Sequence, residues 1–120
     1  MSVLAVVFGV FMVASGITHF TAPAYYRRMI PRWLPAPAKA VVISGLADCA
    51  VGVLLLVPGT RAVGGWAAAL LITAYLPAHL DGLRGTSTAS RPLDRPSGVA
   101  ARVLVNLGYI TCAVLIAVTS

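Results

Sequence analysis

Four long apolar stretches divide the chain, and short polar connections separate them. The stretches cover residues 3–20, 38–57, 62–80 and 99–119, with Asp48 inside the second and Arg102 near the start of the fourth. Crossing about 30 Å of hydrocarbon takes about 20 residues of helix. Because four segments are too few to close a transmembrane β-barrel, helices are the expected spanning elements. The pattern predicts an all-α fold, a four-helix transmembrane bundle that forms a single domain over residues 1–120.

Composition supports lipid as the surrounding solvent. The chain has 120 residues, of which 59% are apolar and 10% are charged, and its mean hydropathy is +0.92. A soluble domain carries about 25% charged residues. Small residues recur at helical spacing within the stretches, as in the pairs Gly9 and Gly16 or Gly45 and Gly52. Such residues let membrane helices approach closely.

Basic residues give the protein a net charge of +6 and predict its orientation. They form short clusters at the first and third connections, not a continuous stripe, so no nucleic acid is expected as a partner. Positive residues mark the cytoplasmic side of a membrane protein. We therefore expect loops 21–37 and 81–98 in the cytoplasm and both termini outside. The preponderance of arginine over lysine is typical of a high-GC bacterium, which indicates the bacterial inner membrane.

Polar side chains inside the apolar stretches are the candidates for function. Asp48 lies near the middle of the second stretch, while His19 and His79 lie at the cytoplasmic ends of the first and third. Buried ionisable groups in membranes are costly and mark functional sites. We predict a pocket open to the cytoplasm, with His19, Asp48 and His79 as catalytic residues. Its expected walls are Ser44, Arg102, Asn106 and Tyr109. The alternative is a structural ion pair between Asp48 and Arg102.

Metal and thiol chemistry are weakly indicated. His19, His79 and Asp48 are plausible ligand types, but they lie on different segments without a diagnostic spacing, so no metal site is predicted. Cys49 and Cys112 lie at comparable depths in apolar segments. They are either a redox-active dithiol or buried apolar side chains, and neither has a neighbouring base in sequence.

Several short motifs resemble the DoxX-like family of small four-helix membrane proteins. They are GITHF at residues 16–20, Pro23, Tyr26, MIP at 29–31, LP at 34–35, SGLAD at 44–48 with Gly52, and LPAH at 76–79. Asp48 stands where that family usually has glutamate, and His79 stands where asparagine is commoner. The resemblance implies the four-helix architecture and places His19 and Asp48 in a polar pocket. Some relatives of this type belong to redox complexes, including a thiosulfate:quinone oxidoreductase subunit, so a quinone is a candidate cofactor, and the sequence alone leaves the cofactor unknown.

Three functions remain open from the sequence. The first is a redox-associated membrane subunit that meets a quinone or a redox partner protein. The second is a stand-alone intramembrane enzyme, of the isomerase or terpenoid cyclase type, which uses Asp48 as general acid on a lipophilic substrate. The third is a non-catalytic scaffold or small-solute carrier. In each case the lipid bilayer is the main partner, and the small-residue faces are compatible with a homo-oligomer.

Overall fold

All the regular structure in the described part of the chain is helical. The computed structural model of the protein describes residues 2–27, 35–81 and 96–120. Its helices are α1 (Ser2–Thr21), α2 (Pro23–Arg27), α3 (Pro37–Leu56), α4 (Arg61–Asp81) and α5 (Pro96–Thr119), with a 3₁₀ turn at Pro58–Thr60. The all-helical prediction is confirmed. The four long helices cover the four apolar stretches of the sequence.

Three of the long helices are long and apolar enough to cross a membrane. Their apolar segments are Val3–Thr21 in α1, Ala38–Leu56 in α3 and Gly98–Thr119 in α5. Helix α4 is not among them. It begins at Arg61 and contains Pro77 near its end, and it is the least apolar of the four long helices. The described helices indicate a membrane-embedded protein.

Helices α1 and α3 run antiparallel and lie exceptionally close. A Cβ atom added at Gly16 would lie 2.7 Å from the carbonyl oxygen of Gly45, and one added at Gly52 would lie 2.8 Å from that of Gly9. Only a residue without a side chain fits at such a distance. The glycine pairs thus bring the two backbones together at two levels, which is the packing that small residues favour in membranes.

A tight turn joins α3 to α4 and satisfies the end of α3. The hydroxyl of Thr60 donates to the carbonyl of Leu54 at 2.7 Å, and the guanidinium of Arg61 donates to the carbonyl of Leu55 at 3.1 Å. The last carbonyls of a helix lack partners within the helix. These two bonds give partners to carbonyls at the end of α3. They also hold the turn that makes α3 and α4 an antiparallel hairpin.

Helices α4 and α5 form the second close pair. A Cβ atom at Gly65 would lie 2.7 Å from the carbonyl oxygen of Ala113 and 2.7 Å from the amide nitrogen of Ala117. One apolar core joins the two pairs. It contains Ala5, Phe8, Met12, Val51, Leu55, Ala68, Ala69, Ile72, Ala113 and Ile116. All four long helices therefore contribute to it.

Large apolar side chains cover much of the outer surface. Val3, Leu70 and Leu104 are 76%, 75% and 68% exposed, and only 17% of the apolar segment of α5 is buried within the protein. Soluble monomers rarely expose contiguous apolar patches of large size. The molecule measures 46 Å along its longest axis, close to the ~40–45 Å of a bilayer with its headgroups. These surfaces are suited to lipid.

Candidate functional site

A polar cluster lies where α1, α3 and α4 meet, and Asp48 is at its centre. Asp48 is 3% exposed. The hydroxyl of Ser15 in α1 donates to its Oδ2 at 3.2 Å, and the hydroxyl of Tyr75 in α4 donates to its Oδ1 at 2.8 Å. Each carboxyl oxygen thus has one hydrogen bond from a different helix. Two hydrogen bonds to the buried carboxyl group offset part of the cost of burying it.

His19 is the basic partner of Asp48 within the described residues. Its Nδ1 lies 3.8 Å from Oδ2 of Asp48, an ion pair whenever the imidazole is protonated. The same Nδ1 lies 2.7 Å from the carbonyl oxygen of Ser15. His19 is 6% exposed, and its Cβ packs against Gly45 of α3. The glycine therefore makes room for the imidazole beside the carboxyl group.

Helix α2 covers the outer face of His19. The ring of Tyr26 stacks on the imidazole, with ring centres 3.7 Å apart and planes 16° apart. The Tyr26 hydroxyl is hydrogen-bonded to the hydroxyl of Thr18 at 2.5 Å. The Thr18 hydroxyl also donates to the carbonyl of Ser15 at 2.7 Å. These contacts link Ser15, Thr18 and His19 of α1 to Tyr26 of α2.

Ser44 contributes to the cluster through its backbone. The Tyr75 hydroxyl lies 3.3 Å from the carbonyl oxygen of Ser44, while the Ser44 hydroxyl donates to the carbonyl of Val41 in its own helix. The sequence analysis placed the Ser44 side chain in the pocket wall. In the structure that side chain is occupied within α3, and the carbonyl takes part instead.

The predicted residues of α5 make no hydrogen bond or ion pair with Asp48 in the part of the chain that the structure describes. The side-chain amide of Asn106 donates to the carbonyl of Arg102 at 2.6 Å, within its own helix. The Nε atom of Arg102 is buried and has no hydrogen-bond partner among the residues that the structure describes. Within those residues, the ion pair of Asp48 is with His19. The alternative of a structural Asp48–Arg102 pair is therefore not what the structure shows.

Tyr109 packs at another level of the protein. Its ring lies 4.8 Å from that of Phe11 and 6.0 Å from that of Phe8, measured between ring centres. Both phenylalanines lie in the first half of α1, whereas Ser15 and His19 lie in the second. Tyr109 thus contributes to the aromatic core and not to the surroundings of Asp48.

The remaining sequence candidates are His79 and the two cysteines. His79 falls within α4, but its side chain lies outside the described residues. Among the described residues no group of three or more metal-ligating side chains could hold a metal ion. Both cysteines are free. The thiol of Cys49 lies 3.8 Å from the carbonyl oxygen of Val13 in α1, and Cys112 packs against the apolar core.

Three members of the cluster were missed by the sequence analysis, namely Ser15, Tyr75 and Tyr26. A signal for two of them was present. Ser15 precedes His19 by one helical turn, and Tyr75 is a polar residue inside an apolar stretch. Residues four apart share a helix face, so Ser15 belonged with His19. Nothing in the sequence indicated that Tyr26 would stack on His19.

Chemically, the cluster offers several groups that exchange or donate protons in an apolar surrounding. The carboxyl group of Asp48 accepts hydrogen bonds from two hydroxyls and lies 3.8 Å from an imidazole nitrogen, and each of these groups can donate to an oxygen atom in at least one protonation state. Groups of this type perform general acid–base catalysis when they are positioned together. They also bind carbonyl oxygens.

Comparison with known proteins gives a family without a described activity. Residues 8–117 match the family model of a domain of unknown function (DUF8561). No curated protein and no solved structure matches the chain.

Proposed function

We propose that this chain, which belongs to the DUF8561 family, is a DoxX-like integral membrane protein of four transmembrane helices. In this proposal it is a redox-associated subunit of the bacterial inner membrane. Its polar site around Asp48 binds a lipophilic molecule with carbonyl oxygens, of the quinone class. The buried cluster of Asp48, Ser15, Tyr75 and His19 is the observation that carries the proposal.

The packing of α4 supports a fourth membrane span. Helix α4 packs between α3 and α5, contributes Ala68, Ala69 and Ile72 to the common core, and is joined to α3 by a tight turn. Because α4 runs antiparallel to α3, a membrane-spanning α3 requires α4 to pass back through the same bilayer. Pro77 is tolerated there because neighbouring helices and hydroxyl side chains satisfy freed backbone groups in membranes. The arginines of the first and third connections support a cytoplasmic location for those loops.

We expect a cysteine-labelling experiment to show this topology. In a protein that carries Cys49→Ala and Cys112→Ala, Ser90→Cys is expected to react with a membrane-impermeant maleimide only in inverted membrane vesicles. Gly59→Cys, in the exposed turn before α4, is expected to react only in intact spheroplasts. Labelling of both positions from the same side would contradict a membrane-spanning α4.

The polarity of the cluster supports a ligand with oxygen atoms. A buried carboxyl group costs several kcal/mol unless it is hydrogen-bonded or neutral, and membrane proteins retain such groups mainly where they function. The hydroxyls of Ser15 and Tyr75 already donate to Asp48, so a carbonyl oxygen of a quinone would accept from the protonated carboxyl group of Asp48 or take the place of Asp48 as acceptor for one hydroxyl. When bound, the quinone would supply the redox chemistry. The residues of this chain would orient it and exchange protons with it.

Native mass spectrometry in lipid nanodiscs tests the binding function. The wild-type protein, supplied with ubiquinone and menaquinone, is expected to retain one of them at a stoichiometry close to one per chain. The same spectrum gives the oligomeric state. If neither quinone is retained above the level of an unrelated four-helix protein in identical nanodiscs, the quinone proposal is wrong.

A second candidate function is an intramembrane enzyme acting on a lipophilic substrate. It is favoured by the preassembled acid–base arrangement, in which Tyr75 and Ser15 orient the carboxyl group of Asp48 and His19 lies 3.8 Å from it. Asp48 would act as general acid, and His19 would restore its proton. Turnover of an isoprenoid substrate by the purified chain alone would distinguish this enzyme from a redox subunit, which needs its partner proteins.

A further inference from the structure

The contact between Tyr26 and His19 lies outside the apolar core that the four long helices share. Tyr26 belongs to α2, a five-residue helix that follows α1 after a single residue. Its ring covers the imidazole face to face, with centres 3.7 Å apart. Its hydroxyl is anchored to Thr18, on the same turn of α1 as His19. The side chain of Tyr26 is therefore held in two ways, by the contact of its ring face with His19 and by the hydrogen bond of its hydroxyl with Thr18.

The environment of His19 also selects one of its two neutral tautomers. A backbone carbonyl oxygen only accepts hydrogen bonds, so the 2.7 Å contact with the carbonyl of Ser15 places a hydrogen on Nδ1. In the neutral imidazole Nε2 is then the nitrogen that can accept a proton. Oδ2 of Asp48 lies 3.8 Å from the protonated Nδ1. The hydrogen on Nδ1 therefore faces Ser15 and Asp48, whereas Nε2, the nitrogen that can accept a proton, does not face these two residues.

We infer that Tyr26 is a positioning residue for His19, holding the imidazole in the plane and tautomer in which Nδ1–H faces Ser15 and Asp48. This inference rests on the proposed acid–base role of the Asp48 cluster. Rotation of the imidazole about its Cβ–Cγ bond would carry Nδ1 away from both oxygens. The stacked ring of Tyr26 opposes this rotation, because rotation would replace the flat contact by a clash. A stacked aromatic pair is more stable than its buried area alone accounts for, which favours one ring orientation.

Nitrogen NMR of the histidine rings tests this inference without any ligand. The protein is labelled with ¹⁵N only in histidine, of which the chain has two, and His79→Gln assigns the signals. In alkaline buffer the wild-type His19 is expected to show two widely separated ring signals, with the hydrogen on Nδ1. In Tyr26→Ala the separation is expected to shrink by more than half, because the ring samples both tautomers. Tyr26→Phe, which keeps the stacked ring, is expected to retain most of the separation.

Tyr109→Ala is the matched control. It removes the same type of ring from another aromatic contact with α1, so it measures general loosening of the helix, and His19 should keep its wild-type signals. The inference is overturned if wild-type His19 carries its hydrogen on Nε2, if Tyr26→Ala leaves the signals unchanged, or if Tyr109→Ala changes them equally. Because no quinone is involved, these outcomes are independent of whether the binding proposal succeeds.

Discussion

Asp48→Asn is expected to lower turnover by the purified chain by about 100-fold or more, the usual lower contribution of a positioned acid–base group, and to lower ligand affinity by about 10-fold, the loss of one hydrogen bond. Asparagine has nearly the same shape as aspartate and can still accept a hydrogen bond from Tyr75 or Ser15. It has no acidic proton to exchange, and its NH₂ group is a donor where two donors already point. The ion pair with His19 is also lost. Quinone retention by native mass spectrometry, or product formation by the isolated chain, measures the effect.

Tyr109→Phe is the control for Asp48→Asn. Within the described residues the Tyr109 hydroxyl makes no hydrogen bond, and its ring packs with Phe8 and Phe11 away from the cluster. This variant is expected to bind and react as the wild type does. A folded Asp48→Asn protein with unchanged ligand retention and unchanged turnover would show that the cluster is structural.

Gly16→Ala is expected to lower the free energy of unfolding by about 2 kcal/mol, as overpacking of a close contact does. The added methyl group would lie 2.7 Å from the carbonyl oxygen of Gly45 and 2.9 Å from the amide nitrogen of Cys49. Both are backbone atoms, so no side-chain rotation relieves the clash and α1 must move away from α3. Reversible unfolding in mixed micelles measures the change.

Gly108→Ala is the matched control for Gly16→Ala. Gly108 also lies inside a long helix, but a Cβ atom there meets nothing within 4 Å. Alanine favours helix over glycine by about 1 kcal/mol in an exposed position, so this variant should be neutral or slightly more stable. Equal stability of the two variants would mean that the glycine contact between α1 and α3 does not hold the helices together.

The glycine contact and the polar cluster are parts of one arrangement. Ser15 and His19 flank Gly16 on α1, and Asp48 follows Gly45 by three residues on α3. The hydrogen bond from Ser15 to Asp48 crosses this same interface. Because α1 and α3 are held in backbone contact, a short serine side chain reaches the carboxyl group. Gly16→Ala should therefore weaken ligand binding as well as stability.

The site was only partly predictable from the sequence. His19 and Asp48 were identified because a chargeable residue in an apolar stretch is costly whatever the fold, and the structure brings them together. Arg102, Asn106 and Tyr109 were included on the basis of depth along a helix alone. Depth does not determine which face of a helix meets its neighbours. Within the described residues none of the three makes a hydrogen bond or ion pair with Asp48, and the ring of Tyr109 packs with Phe8 and Phe11.

The sequence by itself determined the helical class, the positions of the long helices and the need to shield Asp48. These follow from local hydrophobicity, from the length of helix that crosses a bilayer and from the cost of a buried carboxyl group. Only the tertiary structure decided which groups shield it. Rotation of each helix about its axis is set by the glycine contacts between α1 and α3 and between α4 and α5. Those contacts turn Ser15 and Tyr75 toward Asp48, and the turn after α1 brings Tyr26 onto His19.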